Sequence, residues 1–280
     1  MKIGIYNSTY IGNYGLEKGA EKIRAHGYDC IDYQQLADTE GDLWKLDARG
    51  MEEQLRKERA VYEGAGLEIS QTHGPWRWPP KDATPEDRAE RFEKMSRAVE
   101  ATAVLGAPYM VIHPIMPFGT GENPDPARFY EMNFEYMSRL AEKGRACGVA
   151  VCLENMPMPM LTLARPQEIA DFVRKIDSPY FKMCLDTGHS MVCRTQPGAA
   201  LRQTKDVVRV LHVHDNDGRG DFHRIPYQGV IDWADFSAAL REVEFAGSVS
   251  SETGIGSKIP EVAREDMEIA LAKIIRHIAG

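Results

Sequence analysis

Eight short runs rich in Val, Ile, Leu and Tyr recur along the chain, and the segments between them follow a 3.6-residue apolar period. The runs are Lys2–Tyr6, Tyr28–Tyr33, Leu67–Thr72, Tyr109–His113, Val149–Glu154, Phe181–Asp186, Val208–His214 and Ser248–Glu252. Short apolar runs read as buried strands and the longer periodic segments as crossover helices. In Pro85–Leu105, for example, Phe92, Met95, Val99 and Leu105 fall near one face. The ends carry the expected punctuation: Thr84-Pro85 and Asp125-Pro126 open helices, and Gly106 and Gly148 close them. Eight strand–helix alternations in 280 residues match a closed barrel, which needs about 250 residues. An open dinucleotide-binding sheet would show a GxGxxG turn after the first strand, where this chain reads NSTYIGNYG. The expectation is an α/β chain forming a single (β/α)8 TIM barrel, one domain over residues 1–280.

In such a barrel the C-terminal strand ends converge on one mouth. His73, His113, His189, His212, His214 and His223 fall at or just after those ends, leaving only His26 and His277 for helices. Carboxylates share the places: Glu154 in CLENMP, Asp186 in CLDTGH, Asp221 in GDFHRI and Glu252 in SSETG. A buried, unpaired carboxylate costs several kcal/mol unless a cation or hydrogen bonds neutralise it. Each signal alone has a plain structural alternative, such as a hydrogen-bonded histidine, an Asx turn at Asp186 or a proline-stopped turn after LEN. Their concentration at one rim points to a metal centre. Imidazole with carboxylate and no thiolate suits Mn²⁺, Zn²⁺, Co²⁺ or Fe²⁺, whereas Ca²⁺ takes oxygen ligands alone.

QTHGPW, VIHP, CLENMP, CLDTGHS, LHVHDNDG followed by DFH, and SETG resemble, as a set, the xylose-isomerase-like TIM-barrel superfamily. That superfamily includes sugar phosphate isomerases and epimerases, ketose 3-epimerases, inosose-processing enzymes and endonuclease IV. The resemblance to ketose 3-epimerases implies one divalent ion, Mn²⁺ or Zn²⁺ with Mg²⁺ as a further candidate, held by Glu154, Asp186, His212 and Glu252. It also implies that Glu154 and Glu252 are the catalytic acid and base, and that His189 contacts substrate hydroxyls. The resemblance to endonuclease IV implies that His73, His113, His189, Asp221 and His223 are further metal ligands; otherwise they bind substrate.

The loops favour a small polyol. Acidic residues such as Asp38, Glu40 and Glu122 stand among Lys45, Arg77 and Arg128, so no basic groove for a phosphodiester strand emerges. The net charge of −8 likewise gathers no nucleic acid or anionic membrane. Trp76 and Trp78 read either as stacking surfaces for a sugar or as loop packing. Arg219 is a candidate for orienting hydroxyls, and Met156, Met158 and Met160 as apolar lining. The PYQG segment departs from the PGEG or LGEG common in sugar-isomerase-like members.

The expected activity is a metal-dependent isomerase or epimerase of a sugar, keto-sugar or cyclitol, working through a metal-stabilised cis-enediolate. The alternatives are an endonuclease IV-like zinc phosphodiesterase and a lyase or dehydratase on a keto-sugar or inosose. The expected partner is a small sugar, with no nucleic acid or membrane and with a homo-oligomer allowed. Five scattered cysteines without a C-x-x-C pair read as buried free thiols. No signal-peptide or membrane run of about 18 apolar residues is present, so a cytoplasmic location is expected.

Overall fold

Alternation within each apolar run decides what the fold presents at its centre. The computed structural model describes residues 1–280. Its strands are β1 (Ile3–Tyr6), β2 (Cys30–Tyr33), β3 (Glu68–His73), β4 (Tyr109–Ile112), β5 (Ala150–Glu154), β6 (Phe181–Asp186), β7 (Val208–His212) and β8 (Val249–Ser251). The helices begin with α1 (Ser8–Tyr14), α2 (Leu16–Ala25), α3 (Asp42–Lys45), α4 (Ala48–Gly64), α5 (Pro85–Leu105) and α6 (Pro126–Cys147). They continue with α7 (Pro166–Ile176), α8 (Thr187–Val192), α9 (Pro197–Thr204), α10 (Trp233–Glu242) and α11 (Glu261–Ala279). All ladder pairs are parallel, in the order β7-β6-β5-β4-β3-β2-β1-β8. Beyond the ladder, Val213 bridges Ser251: Val213 N donates to Ser250 O at 2.8 Å and Glu252 N donates to Val213 O at 3.1 Å. The eight strands therefore form a nearly closed (β/α)8 barrel.

On β4 to β7, one set of side chains faces the helices and the other faces the barrel axis. Met110, Ile112, Val151, Leu153, Met183, Leu185 and Leu211 join the large core between strands and helices. Their alternates Val111, Cys152, Cys184 and Val210 form a small apolar floor inside the barrel. One step further along the same inward rows come His113, Glu154, Asp186 and His212. The acids and imidazoles thus sit above a dry floor because of period-2 geometry, and burial of each large side chain in the outer core contributes about 1.5–3 kcal/mol to holding them there.

Helix ends follow the sequence signals. Thr84 and Asp87 form a reciprocal capping box at α5, Asp125 caps α6 through Arg128 N at 2.9 Å, and Gly106 and Gly148 end these helices at φ 75° and 71°. Two details depart from the sequence reading: His26 caps α2 instead of lying inside it, and Met160 is exposed while Met156 is buried. Asp186, which ends β6, also caps α8 by accepting from His189 N at 2.6 Å. No disulfide forms; four cysteines are buried and Cys147 is half-buried. No helix is long and apolar enough to cross a membrane.

The long connection after β7 is organised by one buried carboxylate. Asp215 accepts from the backbone N–H groups of Asn216, Tyr227, Gly229, Val230 and Ile231 at 2.9–3.3 Å and from Trp233 Nε1 at 2.8 Å. A side chain at Gly229 would run into Asn216 O and this carboxylate, so only glycine lets the loop close around it. Replacing Asp215 with Ala leaves these donors without their acceptor. The expected loss is at least about 3 kcal/mol, read as a lowered denaturation midpoint in urea.

Candidate metal centre

Glu154 and Asp186 end β5 and β6, His212 ends β7, and Glu252 follows β8. One ligand atom from each of these four lies within 4.8 Å of the others. His212 Nδ1 is 2.8 Å from Glu154 Oε1 and 3.3 Å from Glu252 Oε2. Glu154 and Asp186 are almost fully buried, at 1% and 0% exposure. Glu252 also lines a surface cleft with Tyr6, Ser8, Gln34 and His223.

Two further donor sets adjoin this one. His73, His113 and Glu154 form the first, with His73 Nε2 3.2 Å from His113 Nε2 and His113 Nε2 2.9 Å from Glu154 Oε2. The second contains His189, His214, Asp221 and His223; His189 Nε2 and His223 Nε2 approach Asp221 Oδ2 at 3.2 and 3.3 Å. Every ion pair made by Glu154, Asp186, Asp221 and Glu252 is with a histidine, never with Lys or Arg.

The outer ring nitrogens fix how the imidazoles face this rim. His73 Nδ1 meets Gly74 O at 2.8 Å, His189 Nδ1 meets Asn155 O at 2.7 Å and His223 Nδ1 meets Glu252 O at 2.8 Å. A carbonyl can only accept, so Nδ1 carries the proton in each and Nε2 is turned to the carboxylates. In His212 the arrangement is reversed: Nε2 lies 2.9 Å from Asp32 Oδ2, and Nδ1 faces inward. Histidines that ligate metals characteristically donate their outer N–H to a carbonyl or carboxylate in this way. With buried carboxylates and no Lys or Arg countercharge, the donor chemistry fits a divalent cation.

Electrostatics point the same way. Burial opposes charge on Glu154, but His212 and hydrogen bonds from His113, His212 and His73 hold its carboxyl well below the usual range. Burial pushes Glu252 up, and the Glu154 charge adds to that against the pull of His212. Burial lowers His113 to about 4 despite Glu154, so it is neutral near pH 7. His223 goes to about 9, because Asp221 and Glu252 outweigh its burial. His189 and His212 are likewise held well above the ordinary imidazole value: Asp186 and Asp221 outweigh burial at His189, and Cys184 with Glu252 and Glu154 outweighs it at His212. A cation entering here must displace those protons, so its affinity falls as pH falls.

All ten histidine and carboxylate positions that the sequence placed at the strand ends, His214 among them, come together at this mouth. Trp76 joins them, its ring edge-on to His113 at 4.2 Å, and Trp78 is 6.3 Å from Trp76. Arg219 is exposed; its backbone N–H donates to Asp217, and its guanidinium makes no hydrogen bond or ion pair. Four residues were given no role at the site from sequence. Asp32 sits mid-strand in CIDY and holds His212 from 180 positions away. His214 donates to Asp186 at 3.0 Å and stacks on His223 at 4.0 Å; its place in HVH was the available signal. Gly188 gives it room, since a side chain there would meet the His214 ring. Cys184, expected only as core, brings a thiol beside Glu154 and His212.

Residues 20–274 match the family described as xylose isomerase-like TIM barrel. The chain belongs to that family. An uncharacterised protein of Methanocaldococcus jannaschii is 25% identical, covering 98% of this chain and 92% of its own. A D-psicose 3-epimerase of Enterocloster bolteae is also 25% identical, covering 100% and 96%. Among solved structures, the IOLI protein with a bound zinc atom superimposes with a TM-score of 0.78 at 19% identity, covering 99% of this chain and 96% of that one.

Asp32 gives the first test of the family's barrel mouth as a metal centre in this chain. Replacing Asp32 with Ala frees the outer nitrogen of His212 and should weaken divalent-ion binding about 10- to 100-fold, measured by isothermal titration against the parent. Unchanged affinity would remove Asp32 from the centre.

Proposed function

We propose that the chain is a divalent-metal-dependent isomerase or epimerase of a sugar, keto-sugar or cyclitol. The observation that carries the metal is the set of histidines whose outer nitrogens are tied to carbonyls or Asp32 while their inner nitrogens face buried carboxylates. Kinship with D-psicose 3-epimerases supports the sugar chemistry. Glu154, Asp186, His212 and Glu252 would hold the ion. When bound, it supplies Lewis acidity toward a carbonyl and its neighbouring hydroxyl, lowering the energy of an enediolate.

The remaining steps belong to the side chains. A proton must leave the carbon beside the carbonyl and return to its opposite face, or to the neighbouring carbon for isomerisation. Glu154, kept ionised by its imidazoles, is suited to accept it; Glu252, pushed toward protonation beside the open cleft, is suited to deliver one. Arriving from β5 and β8, the two carboxylates flank the substrate. His73, His113, His189 and His223 can donate to or accept from hydroxyls, and Trp76 offers its indole to the C–H face of the sugar. Asp186 and His212 serve mainly as ligands, and Arg219 is left with no specific role.

A second reading, phosphodiester hydrolysis by a multi-zinc cluster resembling endonuclease IV, is favoured by one observation: two more donor sets adjoin the first. Metal counting separates the two. In the epimerase reading one ion binds, Asp186→Ala loses most of it without unfolding, and His189→Asn and His223→Asn leave the count unchanged. In the hydrolase reading those two variants each lower a higher stoichiometry, and abasic DNA is cleaved.

Proton exchange tests the chemistry. Incubation with a panel of ketoses, keto-glycosides and inososes in D₂O should place deuterium beside the carbonyl. The Glu252→Gln variant should slow that exchange at least about 100-fold while remaining folded by circular dichroism. Absence of exchange and turnover across the panel, together with DNA cleavage, would overturn the reading.

A further inference from the structure

The floor of the metal centre holds a group that the proton transfers do not use. Cys184 lies two residues before Asp186 on β6, so strand alternation turns its thiol inward, and its partner in register on β5 is Glu154. Its sulfur, an oxygen of Glu154 and a ring nitrogen of His212 lie within 4.8 Å of one another. The surrounding floor, Val111, Cys152 and Val210, is apolar. The other buried thiols have different partners: Cys30, Cys152 and Cys193 each approach a backbone carbonyl, at 3.5, 3.8 and 3.3 Å. Cys184 alone shares a cluster with ligand-type side chains.

We propose that Cys184, Glu154 and His212 form a second, deeper position for a soft or borderline divalent ion, which competes with the carboxylate-rich position because both use Glu154 and His212. The proposal rests on the reading of those two residues as ligands. Thiolate, imidazole and one carboxylate select Zn²⁺ or Cd²⁺, whereas three carboxylates with one imidazole accept Mn²⁺ or Mg²⁺ readily. On binding, a sulfur–metal bond forms and the S–H proton passes to solvent; nothing is oxidised or reduced. A hard ion therefore remains with Asp186 and Glu252, on the side where Glu252 lines the open cleft. A soft ion is drawn toward the floor and away from them. The site thereby discriminates between metals by depth as well as by affinity.

Cobalt spectroscopy tests this on the whole chain after removal of adventitious metal. Bound Co²⁺ should show visible d–d bands together with a sulfur-to-cobalt charge-transfer band in the near ultraviolet. In Cys184→Ser the charge-transfer band should vanish while the d–d bands persist. Cd²⁺ binding in that variant should weaken about tenfold or more, with Mn²⁺ binding changed less than about twofold. Visible bands without charge transfer in the parent, or charge transfer that survives Cys184→Ser, would overturn the deeper position and leave the carboxylate centre standing. Failure to bind cobalt at all would overturn both. Cadmium X-ray absorption on the unmodified chain decides without a variant: one sulfur neighbour supports the proposal, and a shell of oxygen and nitrogen alone refutes it.

Discussion

Buried carboxylates whose only ionic partners are imidazoles set the terms for the rest of this molecule. Glu154 is touched by His113 and His212 at 2.9 and 2.8 Å, and Asp186 by His214 at 3.0 Å. Isolated, such charges would each cost several kcal/mol above an apolar floor. The barrel tolerates them because each strand end delivers its countercharge from a different part of the chain. The arrangement is stable only as a network, so the loops must hold the imidazoles with their outer nitrogens satisfied. Gly74, Asn155 and Glu252 do this with backbone carbonyls, which no side-chain substitution removes.

The same logic explains why loop architecture is so heavily specified around the rim. Asp215 gathers one long connection around itself, and Asp82 performs a similar task opposite. Asp82 accepts from Arg91 at 2.5 Å and from Met116 N at 2.8 Å, while Arg91 also donates to His113 O at 3.1 Å. The Trp76 loop and the His113 loop are thereby tied to one another through a guanidinium. Two carboxylates outside the histidine–carboxylate cluster thus act as loop organisers.

Much of this was legible in the residues because it is periodic or punctuated. The apolar runs mark the strands, Thr84, Asp125, Gly106 and Gly148 mark helix ends, and strand-terminal acids and histidines mark the mouth. What escaped depends on direction and distance. Asp32 is one acid within a hydrophobic strand, and nothing local announces that His212 lies against it. Cys184 looks like a core residue until the register beside Glu154 is known. Arg219 looks apt for hydroxyls by position in its loop, yet it is exposed and pairs with none of the acids at the mouth. Spacing reveals which strand end a residue occupies, but the pairing partner is set by barrel closure.

That closure has a mechanical side. The last seam of the barrel, between β7 and β8, is joined by the single bridge of Val213 to Ser251 instead of a full ladder. Val213 lies next to His212, and Ser251 next to Glu252. An ion held by both of those side chains would span the thinnest joint in the cylinder and act as its clasp.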